Sequence, residues 1–457
     1  MKYVTYRLFN ATISIMKGFV LKYLRFFVRV SLRFHKVKII GITGSVGKSS
    51  TRDVIYSMMK DNFRVKAIKE GNSETGIPLG ILGLSPGHYR VVDWLRAMVL
   101  APFRINNIKN YDYLIIEMGI DSPYPPKNMD YLLTIVKPDI SIVLNAYPVH
   151  TMQFDDLFKD ELNEKKRLDF IVRRITKEKL KIITKAKPSA GIFNSSLVFQ
   201  PGPIEGVKYI KFGEGDVDIK YTDYKTYEEG TEFAFKVGRR KLSILIKDYI
   251  LPEAYREVFA STIAVGRFLG LSEETISNNI SKNFILPAGR ATVLKGIKSS
   301  LIVDSSYNSS RFSLITFIKL IKKIASLKKK RPIVTLLGDM RELGRESRIE
   351  HEAVADELLK INIDQAFFIG PNMEKYVLPK IEGKVGVVKS FKNSKEAGKY
   401  LSSTLPENSV VLVKGSQNEI FLEEAVKYLL KDKKDEVKLC RQSSFWLSKK
   451  ESYFRSL

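Results

Sequence analysis

Lys48 stands behind glycines at 41, 44 and 47 and ahead of two hydroxyls, in the stretch Ile39-Ile-Gly-Ile-Thr-Gly-Ser-Val-Gly-Lys-Ser-Ser-Thr51. A run of this kind can hold a phosphate chain. Glycines let backbone amides approach the oxygens, a lysine reaches the outer phosphates, and a serine hydroxyl is offered to Mg2+. Strict Walker spacing would put a glycine at 42, where this chain has Ile42, so the loop is a variant. An ordinary glycine-rich turn is the alternative, but it would not call for Gly-Lys-Ser-Ser. Two further apolar runs end in polar groups. Tyr113-Leu-Ile-Ile-Glu117 ends in a carboxylate, which makes Glu117 a candidate Mg2+ ligand. Ile140-Ser-Ile-Val-Leu144 delivers Asn145 and then His150, one of four histidines. A lone histidine is more often structural than a ligand.

These groups need elements to position them. Val37 to Ile42 reads as a buried strand, and Asp53 to Met59 as the first turns of a helix. A helix N-terminus after a glycine loop favours anions, and buried parallel strands present ligands at their carboxyl ends. Residues 156–187 have helical spacing and a basic run, Lys177, Lys179 and Lys181, whose default reading is a solvated face. Ala190–Asn194 reads as a returning strand, 203–250 as short strands, and 252–283 as helices with a capping box beginning at Ser272. Leu286-Pro-Ala-Gly-Arg290 marks a boundary, after which strands at 301–304, 333–337, 365–369 and 410–413 alternate with helices. The fold class expected is α/β: a P-loop central domain with a mostly parallel sheet over 37–285, and a Rossmann-like domain over 286–432. The remaining basic tail, 433–457, is expected to be loosely ordered or surface-bound.

Basic residues number 76 against 50 acidic ones, a net charge of +26, which points to anionic partners. The single cysteine, Cys440, excludes an internal disulfide and cysteine-based metal clusters and fits a reducing, cytoplasmic compartment. No aromatic-plus-basic nucleic-acid motif is present, so a nucleic-acid-binding P-loop ATPase rests on charge alone. Residues 1–36 lack a signal-peptide cleavage site, and Lys17, Lys22, Arg25, Arg29 and Arg33 interrupt any spanning run. From Lys22 onward these charges share one helical face, with Phe19, Val20, Leu24, Phe27 and Val28 over much of the rest. Either the helix lies in a membrane interface, cations toward anionic lipid, or it packs on the globular body. Residues 85–110 mix Trp94, Leu95, Met98, Val99, Leu100 and Phe103 with Arg90, Arg96 and Arg104, as a second interfacial or lid-like element or a buried helix would.

Taken in order, these stretches resemble the Mur ligase family, and within it the D-alanyl-D-alanine-adding branch. The resemblance runs over about residues 37–430. It rests on Thr43-Gly-Ser-Val-Gly-Lys-Ser49, Asn72 with Gly76-Ile-Pro-Leu79, Ile116-Glu-Met-Gly119, Asn145 with His150, and Gly289-Arg290. It continues with Asp304-Ser-Ser-Tyr-Asn308, Gly338-Asp-Met-Arg-Glu-Leu-Gly344 with His351, and Lys414-Gly-Ser416. The resemblance implies ATP and two Mg2+ ions. Thr43, Gly44, Ser45, Gly47, Lys48, Ser49, Ser50 and Asn145 would bind the nucleotide, with Arg290 and Asp304 reaching it from the second domain. Ser49 and Glu117 would hold one metal. His150 and a carbamylated lysine would hold the other, Lys179 being the first choice and Lys177 the fallback. Asn72, Asn308, Lys414 and Ser416 would face substrates.

The activity implied is amide bond formation through an acyl phosphate in cell-wall precursor synthesis, with a small-molecule or lipid-linked peptide as acceptor. A ligase of another polymer, of the poly-γ-glutamate kind, is the alternative. The chain departs from the family where about 36 residues replace a UDP-gripping domain, at Ser305, at Glu253-Ala-Tyr-Arg-Glu-Val258, and at Gln417.

Overall fold

The structure is a computed structural model. It describes residues 2–456 apart from 70, 86–90, 148–153, 155–156, 158–160, 162, 328–329, 342, 344–346 and 417–418, with backbone alone for 2–17, 91 and 164–165. Two compact units are present: residues 1–223 with 234–244 and 254–284, and residues 224–233 with 245–253 and 285–457.

In the first unit the strands are β1 (Lys38–Thr43), β2 (Val65–Ala67), β3 (Tyr113–Glu117), β4 (Ile140–Val143), β5 (Ala190–Asn194) and β6 (Lys208–Gly213). They lie in the order β2-β3-β1-β4-β5-β6, every pair parallel. Strands β7 (Ile219–Tyr227), β8 (Gly230–Val237) and β9 (Arg240–Lys247) extend the same order, and the division between units runs through them. β1 is central because it is apolar on both faces: Ile39 on one side and Ile40 and Ile42 on the other are all buried. Its register sets Ile42 beside Glu117 of β3 and Thr43 beside Val143 of β4. The phosphate loop, Glu117 and Asn145 therefore leave the sheet at neighbouring carboxyl ends.

Helix α1 (Lys2–His35) packs on this unit. Leu24 and Val28 are fully buried in its core, a gain of about 2 kcal/mol for each side chain. The Ser31 hydroxyl donates to the Ile105 carbonyl, and Arg25 and Arg29 donate to Thr134. The body-packed reading of this segment thus holds for one face of the helix. Helix α2 (Lys48–Met59) starts five residues earlier than the apolar pattern suggests, directly at the lysine of the loop. Its cap, Gly47, has φ +86°, a left-handed conformation open to glycine without strain. Helix α3 (Gly76–Leu82) follows, then α4 (Val91–Leu100) and a 3-10 turn, Ala101–Ile108. Helix α5 is Met129–Ile135, α6 is Glu164–Thr184, α7 is Tyr255–Phe268 and α8 is Glu273–Asn283. Ser272 caps α8 by accepting from Thr275 N, but the capping box is incomplete, because threonine stands where the reciprocal glutamate would be.

The second unit carries β10 (Thr292–Lys295), β11 (Leu301–Ser305), β12 (Ile333–Gly338), β13 (Gln365–Ile369), β14 (Val387–Phe391) and β15 (Val410–Lys414), in the order β10-β11-β15-β12-β13-β14. Only β10 is antiparallel. Helices α9 (Arg311–Ala325), α10 (Ser347–Ile361), α11 (Ser394–Thr404) and α12 (Glu423–Leu429) belong to this unit. The basic tail is not loose. Residues Ser444–Arg455 form α13, anchored by a buried ionic cluster in which Glu423 meets Arg441 (2.6 Å) and Lys450 (3.3 Å), while Lys450 also meets Glu424 (2.5 Å).

Removing one partner of a buried cluster strands the other charges. Glu423→Ala should lower unfolding stability by about 3–5 kcal/mol, whereas breaking the exposed pair Arg348–Glu352 should leave stability nearly unchanged. Urea unfolding of the two variants checks this, and equal losses would contradict it.

Candidate active site

Three strand ends and one helix start make the site. Lys48, first residue of α2, turns its ammonium back onto the loop, where Nζ donates to the Gly44 carbonyl at 2.8 Å. Burial lowers its pKa, opposed by the nearby charges of Glu117 and Asp121. The Ser49 hydroxyl donates to one oxygen of Glu117 at 3.0 Å. The other oxygen accepts from Arg52 Nη1 at 2.6 Å. Glu117 is thus held as a carboxylate beside a hydroxyl, at the mouth of an anion-binding loop, a donor set that fits Mg2+ together with nucleotide phosphates. Among the described residues no three histidine, cysteine or carboxylate side chains cluster as a self-sufficient metal site.

Asn145 braces the loop. Its Oδ1 accepts from Ser45 N (2.9 Å) and Val46 N (3.0 Å), and its amide donates to Val46 O and to Glu257 (2.7 Å). Ser45 is further tied to the Tyr147 backbone through its hydroxyl. Ser50 lies 3.4 Å from the Tyr255 hydroxyl. Thr43 and Thr51 have buried hydroxyls without partners among the described residues. Gly44 is packed against Leu144, where a Cβ would sit 3.0 Å from the Leu144 Cβ. Asn72 is pressed against Gly119, whose amide donates to the Asn72 carbonyl, so Asn72 flanks the end of β3. A side chain at 119 would collide with the Asn72 amide.

Lys179 does not belong to a solvated face. It is 3 % exposed, on the α6 face that also buries Ile171, Ile175 and Ile182. Burial, then the Lys48 charge, pushes its pKa down to about 7, with Asp121 opposing. It has no ion-pair partner among the described residues. A buried primary amine with its pKa lowered this far is present in large part as the free base near neutral pH, the form that is a nucleophile toward CO2. Lys177 is exposed and lies over the Phe199 ring. His150 lies outside the described residues.

Arg290, Asp304, Asn308, Lys414 and Ser416 come together in the second unit. Asp304 is fully buried; one oxygen accepts from Ser306 N and the other has no partner among the described residues. Burial raises its pKa to about 6. Lys414 Nζ donates to Ser305 Oγ (3.2 Å) and to the Asn308 carbonyl (2.9 Å), and burial lowers its pKa to about 7. The Asn308 side chain caps its own loop at Ser309 N. Arg290 stacks over Tyr307. Ser416 Oγ accepts from Arg341 N. Arg341, Lys392, Glu419, Asn372 and Tyr453 line a cavity of about 520 Å3 beside Asp339. His351 is structural: Met340 N donates to its Nε2, and its Nδ1 lies 2.6 Å from the Ser347 carbonyl.

Arg52, Glu257, Tyr147 and Tyr453 are not singled out by the sequence. Arg52 has a readable signal, lying one turn beyond Ser49 on the same helix face. Glu257 lies in the segment 253–258, and burial raises its pKa while Asn145 and Tyr147 donate hydrogen bonds to it.

The profile of the Mur ligase middle domain matches residues 42–247, and that of the Mur ligase glutamate ligase domain matches residues 289–417. The chain belongs to the Mur ligase family. Among its Mur ligase relatives, the UDP-N-acetylmuramoyl-tripeptide–D-alanyl-D-alanine ligase of Buchnera aphidicola is 25% identical over 396 residues, 85% of this chain and 75% of the relative. The fold is that of MurF from Thermotoga maritima, solved in complex with ADP, at a TM-score of 0.65 and 21% identity, covering 92% of this chain and 84% of that one. MurF from Acinetobacter baumannii gives 0.66 at 18%, covering 89% and 79%.

The Lys179 pKa sets a pH dependence. Between about 7 and 10.5 the unfolded chain holds this proton and the folded chain does not, so stability rises with pH across that window. In CO2-free buffer, wild type should gain stability relative to Lys179→Met between pH 7 and pH 9.5 in urea unfolding. Parallel curves would contradict a buried neutral amine.

Proposed function

We propose that this chain is an ATP-dependent, ADP-forming amide ligase of the MurF kind, acting in peptidoglycan precursor synthesis at the cytoplasmic face of the membrane. It would join D-Ala-D-Ala, or a similar amino compound, to a peptide carboxylate. The observation that carries this reading is the grouping of Lys48, Ser49 and Glu117 where the phosphate loop meets the end of β3, with the buried Lys179, whose pKa the Lys48 charge helps to lower. The named relatives support a wall-precursor ligase over a poly-γ-glutamate one.

In this reading the acceptor carboxylate attacks the γ-phosphorus of ATP, forming a C–O–P acyl phosphate and breaking the bond to ADP. The free amine then attacks the acyl carbon, and the tetrahedral intermediate loses a proton from nitrogen to solvent and expels phosphate. Lys48 exchanges its carbonyl contact for the phosphate oxygens and offsets the repulsion between three anionic groups. Asn145 and Glu257 keep the loop amides aimed at that charge. Ser49 and Glu117 would hold one Mg2+, which supplies charge neutralisation at the transferring phosphoryl group. Lys179 Nζ would add to CO2, releasing a proton, and the resulting carbamate would serve with His150 at a second metal. Arg290 and Asp304 would complete the nucleotide site, and Lys414, Ser416 and Asn308 the side of the incoming amine. Residues 1–36 would give the enzyme a peripheral contact with lipid.

Phosphate release should require Mg-ATP, D-Ala-D-Ala and UDP-muramoyl-tripeptide together. Lys48→Ala should reduce it at least about 100-fold, and bicarbonate should stimulate wild type but not Lys179→Ala. Release that ignores both co-substrates would defeat the assignment.

A further inference from the structure

α4 and the 3-10 turn Ala101–Ile108 carry an apolar ridge that nothing in the ligase reading uses. Val92, Leu95, Val99 and Phe103 are 73, 56, 67 and 78 % exposed, at spacings of three, four and four, while Ala97 on the opposite side is buried. α1, which touches both elements, repeats the arrangement. Its buried face is Leu21, Leu24, Val28 and Ser31; its outer face shows Phe19, Phe26 and Phe34. At 100° per residue, exposed Lys22, Arg29 and Arg33 form a row alongside those phenylalanines. Residues 1–36 contain eight lysines and arginines and no acidic residue. Beside the ridge, Arg96 and Arg104 line a cavity of about 200 Å3 together with Asp93, Gly83 and Leu84.

We propose that α1, α4 and the turn after α4 form a docking surface for an anionic phospholipid bilayer. Apolar side chains enter the headgroup boundary while the flanking cations meet lipid phosphates, the division of labour of interfacial helices. Charge complementarity selects this occupant. A second copy would set two cation rows against each other, and no helix among the described residues is long and apolar enough to cross a membrane. The proposal extends the lipid contact given above for residues 1–36 to α4, and it is independent of the ligase chemistry.

Sedimentation of the full chain with vesicles tests it. Phosphatidylglycerol–phosphatidylcholine vesicles should bind at low salt and release at high salt, and pure phosphatidylcholine vesicles should bind at least about tenfold more weakly. Leu95→Glu with Val99→Glu, and separately Lys22→Glu with Arg33→Glu, should each weaken binding about tenfold or more. Melting temperature and phosphate release with soluble substrates should stay unchanged. Failure to bind anionic vesicles, or binding that neither pair affects, overturns the proposal while leaving the ligase reading standing. A concentration-dependent dimer dissolved by the ridge variants would overturn it in favour of a second copy.

Discussion

Glu117 is held from both sides, by Ser49 through one oxygen and by Arg52 through the other, and the catalytic unit is organised to make that possible. Both donors come from the first turn and a half of α2, while the carboxylate ends β3. The contact exists only because β1 and β3 run parallel in a register that pairs Ile42 with Glu117. A slip of one residue would turn Glu117 to the opposite face of the sheet. The same register, continued through Thr43 and Val143, brings Asn145 under the loop. A buried carboxylate needs such partners, since an unpaired charge there would be costly to desolvate. Exchanging part of this hydrogen bonding for a divalent cation and phosphate keeps the charge satisfied, so the pair can be stable when empty and productive when filled.

How much of this is legible in the sequence follows from the range of each interaction. The loop, its strand and its helix are contiguous along the chain, and so are readable. Glu117 is readable because it closes an apolar run, at the end of a parallel strand where ligands are met. Asn145 is noticeable because it follows an apolar strand, but its bracing of Ser45 and Val46 spans about a hundred residues and leaves no local trace. At Lys179 a weak default masks a readable pattern. The basic run suggests a solvated face, yet Ile171, Ile175, Lys179 and Ile182 share one buried helical stripe. Helix phase alone separates Lys179 from Lys177. The order of the tail is hidden for the same reason as the bracing by Asn145: Lys450 finds Glu423 and Glu424 some twenty-six residues away, and that pairing holds α13 together with the packing of Tyr453 and Phe454 on Phe421.

The second unit shows the same principle in a different setting. Lys414 and Asp304 are both buried with pKa values pushed toward neutrality, and the second Asp304 oxygen has no partner among the described residues. Groups kept near their titration points by burial are cheap to recruit when a charged ligand arrives. In both units the strands that deliver site residues close an apolar run with a polar group at the carboxyl end, Glu117 on β3, Asp304 and Ser305 on β11 and Lys414 on β15, where parallel sheets meet their ligands.

Calorimetric titration of ATP with and without Mg2+ bears most directly on the central arrangement. Wild type should bind Mg-ATP at least about tenfold more tightly than ATP in EDTA, and Glu117→Gln should lose that gain while keeping its metal-free affinity. Equal affinity with and without the ion in wild type, or a Glu117→Gln variant that keeps the gain, would contradict the assignment of Ser49 and Glu117 as the metal-holding pair.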